Sequence, residues 1–381
     1  MVNFRKLAAS LAFSSLLGTV VAHPGESAED VRREITSYRA AQALGRRAIG
    51  SCASSPSTAA LKARSAARRA AMAETLRQKR GLTNKPLKTK RDEAGFEKWS
   101  AVDHDSTSLG YDLDTSLDTI FTSNSTCSLV PEVTIGPYWV GGELIRTDVT
   151  DGQSGIPLHL DLQFIDINTC EPIPAATLID IWACNATGVY SGVASQGQGG
   201  LNTTHGRGIQ NTDEDGVVQF DTLLPGWYTG RTPHIHMMAT SGATLLENNT
   251  YVSDSGTPSH IGQLFFDQSL IDETGDIEPY SSNQQAKTLN SADGIGISEA
   301  TVDYDPFMDY VRLGDSLTDG LLGWSTVFVD TTADQSSSRK EAAHYYEGGG
   351  VSNGNGGGGP GGPGGPGGNG SFPGGPGGPP H

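Results

Sequence analysis

The sequence predicts an all-β fold: a β-sandwich domain set between a basic helical N-terminal arm and a disordered Gly/Pro-rich C-terminal tail. Three observations carry this: alternation with a period of two, a series of short strand-like segments separated by turn residues, and sharp breaks in composition at both ends. From Leu158 to Asp166, the apolar Leu158, Leu160, Leu162 and Phe164 alternate with His159, Asp161, Gln163 and Ile165. Successive side chains on a strand point to opposite faces, so this pattern fits a half-buried strand. Ala176–Ala183, Val217–Thr222, Pro233–Ala239 and Gln263–Phe266 supply further short strands, with Asn-Ala-Thr-Gly, Asp-Glu-Asp-Gly and Leu-Pro-Gly as turns. Short strands with regular turn chemistry favour a sandwich, here over residues 125–335.

The flanks differ in composition. Residues 1–22 combine a basic start (Arg5, Lys6), an apolar run from Leu7 to Val21 and a small residue, Ala22, before His23-Pro24. That is the form of a secretory signal peptide; the run is too short for a membrane span. Residues 23–91 read as a basic helical propeptide or arm. Ser27 and Asp30 form a capping-box pattern, Val31 and Ile35 share a helix face, and an Ala/Arg-rich helix from Thr58 to Arg80 is stopped by Gly81. A solvated basic linker is the alternative for its charges. Lys79-Arg80 and Lys90-Arg91 are dibasic pairs of the kind secretory convertases cut. Residues 92–124 read as a linker, and residues 348–381, nearly all Gly, Pro and Asn, cannot bury a core and are expected to be a flexible tail.

Charge divides the chain in the same way. Residues 1–91 hold 18 of the 26 Lys and Arg but only 5 of the 43 Asp and Glu. From Asp92 onward 8 basic residues face 38 acidic ones. A body this acidic is repelled by nucleic acid and by anionic membranes, so small molecules are the expected partners. Cys52, Cys127, Cys170 and Cys184 are an even set, for which disulfides are expected in an oxidising compartment. Four cysteines allow three pairings. A Cys170–Cys184 link would join neighbouring strands, and sequence leaves the choice open. Sequons at Asn124, Asn185, Asn202, Asn248 and Asn369 fit a secreted, extracellular glycoprotein.

The chemistry-bearing residues cluster between Gly188 and His236. In His234-Ile235-His236 the two imidazoles are two residues apart, so on a strand both project to one side and can share a metal ion. An isolated His-x-His is a weak signal, because satisfied strand histidines are common. Tyr228, in Pro225-Gly226-Trp227-Tyr228, and Tyr190, in Gly188-Val189-Tyr190-Ser191, strengthen it, although each alone reads as a buried strand aromatic.

These motifs occur in a fixed order: Gly136-Pro137-Tyr138-Trp139, Gly155-Ile156-Pro157-Leu158, Thr169-Cys170-Glu171-Pro172, Asp180-Ile181-Trp182, Gly188-Val189-Tyr190-Ser191, Arg207-Gly208-Ile209-Gln210-Asn211-Thr212-Asp213, Pro225-Gly226-Trp227-Tyr228 and Arg231-Thr232-Pro233-His234-Ile235-His236. In that order and over about residues 127–270, the chain resembles the intradiol ring-cleavage dioxygenases, in a secreted fungal form. The resemblance implies a mononuclear non-haem Fe(III) held by Tyr190, Tyr228, His234 and His236, with O2 as co-substrate. Hard phenolates favour ferric iron, and a zinc hydrolase would rarely use two tyrosines. It implies insertion of oxygen between the two hydroxyl-bearing carbons of a catechol, through a cyclic anhydride, to give a cis,cis-muconate-type diacid. Tyr228 would be the tyrosinate displaced by substrate, Arg231 would stabilise negative charge on the bound ring, and Gln263 would line the pocket. For Arg231 the bland reading is a surface ion pair. Tyr138 and Trp139 would wall the substrate, with core packing as the alternative.

Only five residues separate Tyr228 from His234, where several relatives carry a longer excursion. A shorter loop predicts an open pocket mouth and tolerance of substituted catechols or hydroxyquinol. The arm that builds dimers in bacterial catechol enzymes is not recognisable in residues 23–91, which leaves the oligomeric state open. A glycan at Asn185, just before Tyr190, could shield the site. Two rival readings remain: a secreted sandwich that binds carbohydrate or cell wall without turnover, and a ring-cleavage fold that keeps iron but has lost turnover or acts on another phenol.

Overall fold

The computed structural model describes Cys52 and residues 55–82, 133–299 and 305–353. The signal-like residues 1–22, the Ser27–Asp30 cap, Lys90-Arg91, the linker, Cys127, Asn124, Asn369 and the tail beyond residue 353 lie outside these. The described chain runs α1 (Pro56–Lys79), β1 (Val140–Gly141), β2 (Pro157–Asp166), β3 (Leu178–Trp182), β4 (Arg207–Asn211), β5 (Val217–Leu223), β6 (His234–Ser241), β7 (Thr257–Phe265), α2 (Gln268–Glu273), α3 (Gly294–Glu299), β8 (Asp309–Arg312), β9 (Leu321–Val329), β10 (Ala343–Tyr346) and β11 (Gly349–Ser352), with short 3-10 turns between.

Two four-stranded sheets make the sandwich, ordered β5-β2-β9-β8 and β4-β3-β6-β7. The second is antiparallel throughout; in the first, β2 pairs antiparallel with β5 and parallel with β9. Between the sheets lies one core. Leu158, Leu160, Leu162 and Phe164 from β2 meet Ile179 and Ile181 from β3 and Ile235, Met237 and Ala239 from β6, every one of them buried. Alternation does the rest: with Ile235 and Met237 turned inward, His234 and His236 face the opposite side of their sheet.

Two expectations are corrected here. β2 is not half-buried: all of its residues after Pro157 are buried, because a third layer covers its second face. That layer is α1. Ser55 caps it by accepting from the Thr58 amide, Pro56 opens it, and Gly81, at φ +68°, follows its end. Its Ala66, Ala70, Ala73 and Leu76 pack on Val311, Leu313, Leu322 and Trp324. Arg68 and Arg69 both donate to Asp161, which is fully buried on β2. The Ala/Arg helix is therefore a layer of the fold, and Arg69 is not a solvated charge; Arg64, paired with Asp215 at the surface, is. The second correction is at the other end. Gly349–Ser352, expected to begin the tail, pairs antiparallel with Ala343–Tyr346, which in turn runs parallel to β1. Hydrogen bonds of the backbone, for which every residue but proline carries both a donor and an acceptor, make a strand there that side-chain burial could not.

The cysteines pair as Cys52–Cys170, tying α1's N-terminal approach to the turn after β2, beside Leu61, Ile165 and Phe328. Cys184 is a buried free thiol, so the Cys170–Cys184 link considered from sequence is not made. No helix among the described residues is long and apolar enough to cross a membrane.

Candidate metal centre

The centre is built where the outward face of β6 meets two loops. His234 and His236 put their Nε2 atoms 3.1 Å apart. The Tyr190 and Tyr228 hydroxyls each lie 3.4 Å from His234 Nε2. Four candidate ligand atoms from three segments thus converge on one point, with Tyr190 and His234 essentially inaccessible and Tyr228 half-buried.

Local sequence explains the convergence. Tyr228 returns over the start of β6 through a tight turn in which the Arg231 amide donates to the Tyr228 carbonyl, with Gly230 at φ +92° in a position that favours glycine. The Tyr190 loop presses against the Tyr228 loop at Gly188, where a Cβ would stand 2.2 Å from the Trp227 carbonyl oxygen. The Asn185 side-chain oxygen accepts from the Thr187 and Val189 amides, shaping the approach to Tyr190. Arg207, fully buried, donates through Nε and Nη2 to the Ser191 carbonyl and so holds the residue after Tyr190. Beside it, burial drives the Glu143 carboxyl up to about 7, with Arg207 opposing.

The hydrogen bonding of the four heads tests whether a cation fits. His234 Nδ1 lies 2.6 Å from the Thr232 carbonyl, which can only accept, so the proton sits on Nδ1 and Nε2 carries a lone pair. That lone pair faces two phenol hydroxyls and a second imidazole. Burial pushes both phenols above their ordinary range, so protons would remain on these oxygens unless a positive charge replaced them. A hard cation accepts all four heads at once, and two phenolates with two imidazoles suit ferric iron.

The other expected residues fall around this centre. Gln263 stands opposite His236 in the β6–β7 register, and its side-chain oxygen accepts from Arg231 Nη2. Arg231 is 3% exposed, so the surface-pair reading is excluded; its Nε donates to Asp293 at 2.8 Å. The Tyr138 ring is half-buried with its centroid 4.8 Å from that of Tyr190. Trp139 takes the core-packing alternative: it is 2% exposed and donates its indole N–H to Asp180, so it is corrected from a substrate wall to a core residue.

Sequence reasoning missed several neighbours. Trp182 stacks on His236 at 4.8 Å and 7°, which strand alternation through Asp180-Ile181-Trp182 could have placed. Tyr345, from the strand before the tail, packs into the same cluster as Tyr138, Tyr190 and Tyr228. Asp293 gave no signal, lying 62 residues from Arg231 in the chain. Although burial opposes its charge, Arg231 and the Thr232 and Gly296 amides hold its carboxyl below the ordinary range.

A dioxygenase family model, Dioxygenase_C, matches residues 137–267. Among solved structures, the intradiol ring-cleavage dioxygenase from Tetranychus urticae is 30% identical, over 55% of this chain and 97% of that one, with a TM-score of 0.43. The dioxygenase domain of a dioxygenase carbohydrate-binding protein fusion from the cellulolytic bacterium Streptomyces sp. SirexAA-E is 22% identical over 53% and 99% of the two chains, with a TM-score of 0.35. Catechol 1,2-dioxygenase from Acinetobacter sp. ADP1 is 18% identical over 53% and 63%, also with a TM-score of 0.35. Comparison with curated proteins gives no match. The family match spans all four converging side chains together with Arg231 and Gln263, and the identity extends over nearly the whole length of the Tetranychus urticae protein; the chain belongs to the intradiol ring-cleavage dioxygenases, a family of enzymes.

Proposed function

We propose that this chain is an extracellular Fe(III)-dependent intradiol dioxygenase that opens catechols, substituted catechols or hydroxyquinol between the two hydroxyl-bearing carbons, using O2, to give cis,cis-muconate-type diacids. The observation that carries the reading is the convergence of the Tyr190 and Tyr228 hydroxyls and of His236 Nε2 on His234 Nε2, two phenols and two imidazoles at one buried point. When bound there, ferric iron would hold the diol as a chelate and make its ring reactive towards oxygen.

The chain's own groups do the remainder. Tyr228, half-buried where Tyr190 is sealed, is the phenol placed to take up a proton from an entering diol. Arg231 keeps Nη1 buried with no protein partner among the described residues, a charged donor free for the diol. Negative charge developing on the ring is stabilised by a donor fixed beforehand in a site of low polarity. The turn from Tyr228 to Arg231 is short and exposed at Thr229 and Gly230, which supports an open mouth and tolerance of ring substituents.

Secretion is supported by the signal-like N-terminus, by the Cys52–Cys170 disulfide, and by exposure of the sequon residues Asn202 and Asn248. Asn185 is half-buried and engaged in its own loop, so a shielding glycan there is disfavoured.

The test is a visible spectrum of purified protein before and after adding catechol without oxygen, followed by admission of O2 and mass analysis of the product. A tyrosinate-to-iron band that shifts with catechol, then a ring-opened diacid carrying both oxygen atoms, is the expected result. A colourless protein that no iron salt reconstitutes would refute the reading in favour of a binding module.

A further inference from the structure

Arg231 is held on two sides of its guanidinium: Nε donates to Asp293 Oδ2 at 2.8 Å, and Nη2 donates to the Gln263 side-chain oxygen. The third nitrogen, Nη1, is the one without a protein partner among the described residues. A guanidinium is planar and rigid, so two fixed N–H groups determine where the third points.

Asp293 is itself immobilised. It is fully buried and all its acceptor directions are used: Oδ2 also takes the Thr232 amide at 2.9 Å, and Oδ1 takes the amides of Ile295 and Gly296 at 3.0 Å each. One carboxylate therefore joins the first turn of α3 to the segment that leads into His234. Asn290, next to it, accepts from the Thr232 hydroxyl and donates to the Phe266 carbonyl, bracing the same strand entry. Asp293 and Asn290 lie outside the residues that the family model matches.

We propose that Asp293 is a positioning residue of the ring-cleavage site, fixing the guanidinium plane of Arg231 so that Nη1 is presented to the bound diol. It touches no substrate. It supplies the counter-charge that lets Arg231 stay buried and the second anchor that Gln263, a neutral group, cannot provide alone. This inference rests on the function proposed above.

The experiment is a double-mutant cycle on the iron-loaded protein, with Asp293→Asn, Arg231→Lys and the pair. Asparagine keeps an oxygen for the α3 amides while removing the charge. Expected for Asp293→Asn are an unchanged tyrosinate band, anaerobic catechol affinity within a few-fold of wild type, and kcat lower by about 10–100-fold, the order that misplacing a catalytic group costs. In the Arg231→Lys background the same change should cost less than about 2-fold, because a group acting through Arg231 has nothing left to position. An independent readout is the Nε–H resonance of Arg231 in arginine-labelled, metal-free protein: slow to exchange in wild type, fast in Asp293→Asn. Asp293→Glu, which keeps the charge, should recover part of kcat. Equal losses in both backgrounds, or loss of the iron band in Asp293→Asn, would overturn the inference while the ring-cleavage reading stands. A wild-type protein that neither colours nor opens catechol would overturn both.

Discussion

Replacing Asp161 with alanine should detach α1 energetically from the sandwich. Asp161 accepts from Arg68 Nε and Nη2 at 2.8 and 2.9 Å, from Arg69 Nε at 2.8 Å and from Gln219 at 2.9 Å, with no exposure of its own. Arg68 retains a route to water; the Arg69 side chain is 2% exposed and has none. Asp161→Ala thus leaves a buried, uncompensated guanidinium, for which about 3–5 kcal/mol is the expected loss. The surface pair Arg64–Asp215 is the control, and Arg64→Ala should cost about 0–1 kcal/mol. Replacing both buried partners, Asp161→Leu with Arg69→Met, should recover most of the loss, since no charge is then stranded. Urea unfolding at neutral pH, read as the shift in midpoint at constant slope, measures all three. The pH dependence has a definite sign. The folded pKa of Asp161 is depressed because Arg69 and Arg68 outweigh burial. Its contribution is therefore present above the unfolded value of about 3.9 and is lost as pH falls below it, so the gap between wild type and Asp161→Asn should narrow below about pH 4. A loss under about 1 kcal/mol for Asp161→Ala at neutral pH would refute the reasoning and return α1 to the status of a loosely held arm.

Tyr228→Phe should abolish ring cleavage, lowering kcat by more than about 100-fold, and weaken the tyrosinate band, read by visible spectroscopy and oxygen uptake. Gly188→Ala should cost the centre its geometry, because the new methyl would meet the Trp227 carbonyl oxygen at 2.2 Å with a backbone already at φ +76°; loss of iron on gel filtration reports it. Should the secreted protein be cut at Lys90-Arg91, α1 would stay attached through Cys52–Cys170, giving one band on a non-reducing gel and two after reduction. Cutting at Lys79-Arg80 is disfavoured, since Arg80 is engaged with the Asp319 carbonyl.

Much of the centre was legible because it is written in short spacings. His234 and His236 share a face through the two-residue period of a strand, and Tyr228 reaches them through a turn whose glycine is visible in the sequence. Tyr190 depended on the ordered motifs of the family and not on any local rule. The layers around the centre were less legible. Alternation in β2 marked which residues face the inner core but not what covers the other face, and the answer, α1, comes from about ninety residues earlier in the chain. Likewise Gly349–Ser352 has the composition of a linker, and only a partner strand makes it a strand.

By itself, then, the sequence determined the sandwich, the four converging side chains, the arginine beside them and the basic helix, since each follows from periodicity, turn chemistry or an ordered motif acting over a few residues. Tertiary structure alone decided that the helix is a buried layer, that Cys52 pairs with Cys170, that Trp139 faces Asp180 in the core, and that Asp293 holds Arg231. These are contacts between segments dozens of residues apart, and their energy depends on burial and mutual orientation, which exist only once the chain has closed on itself.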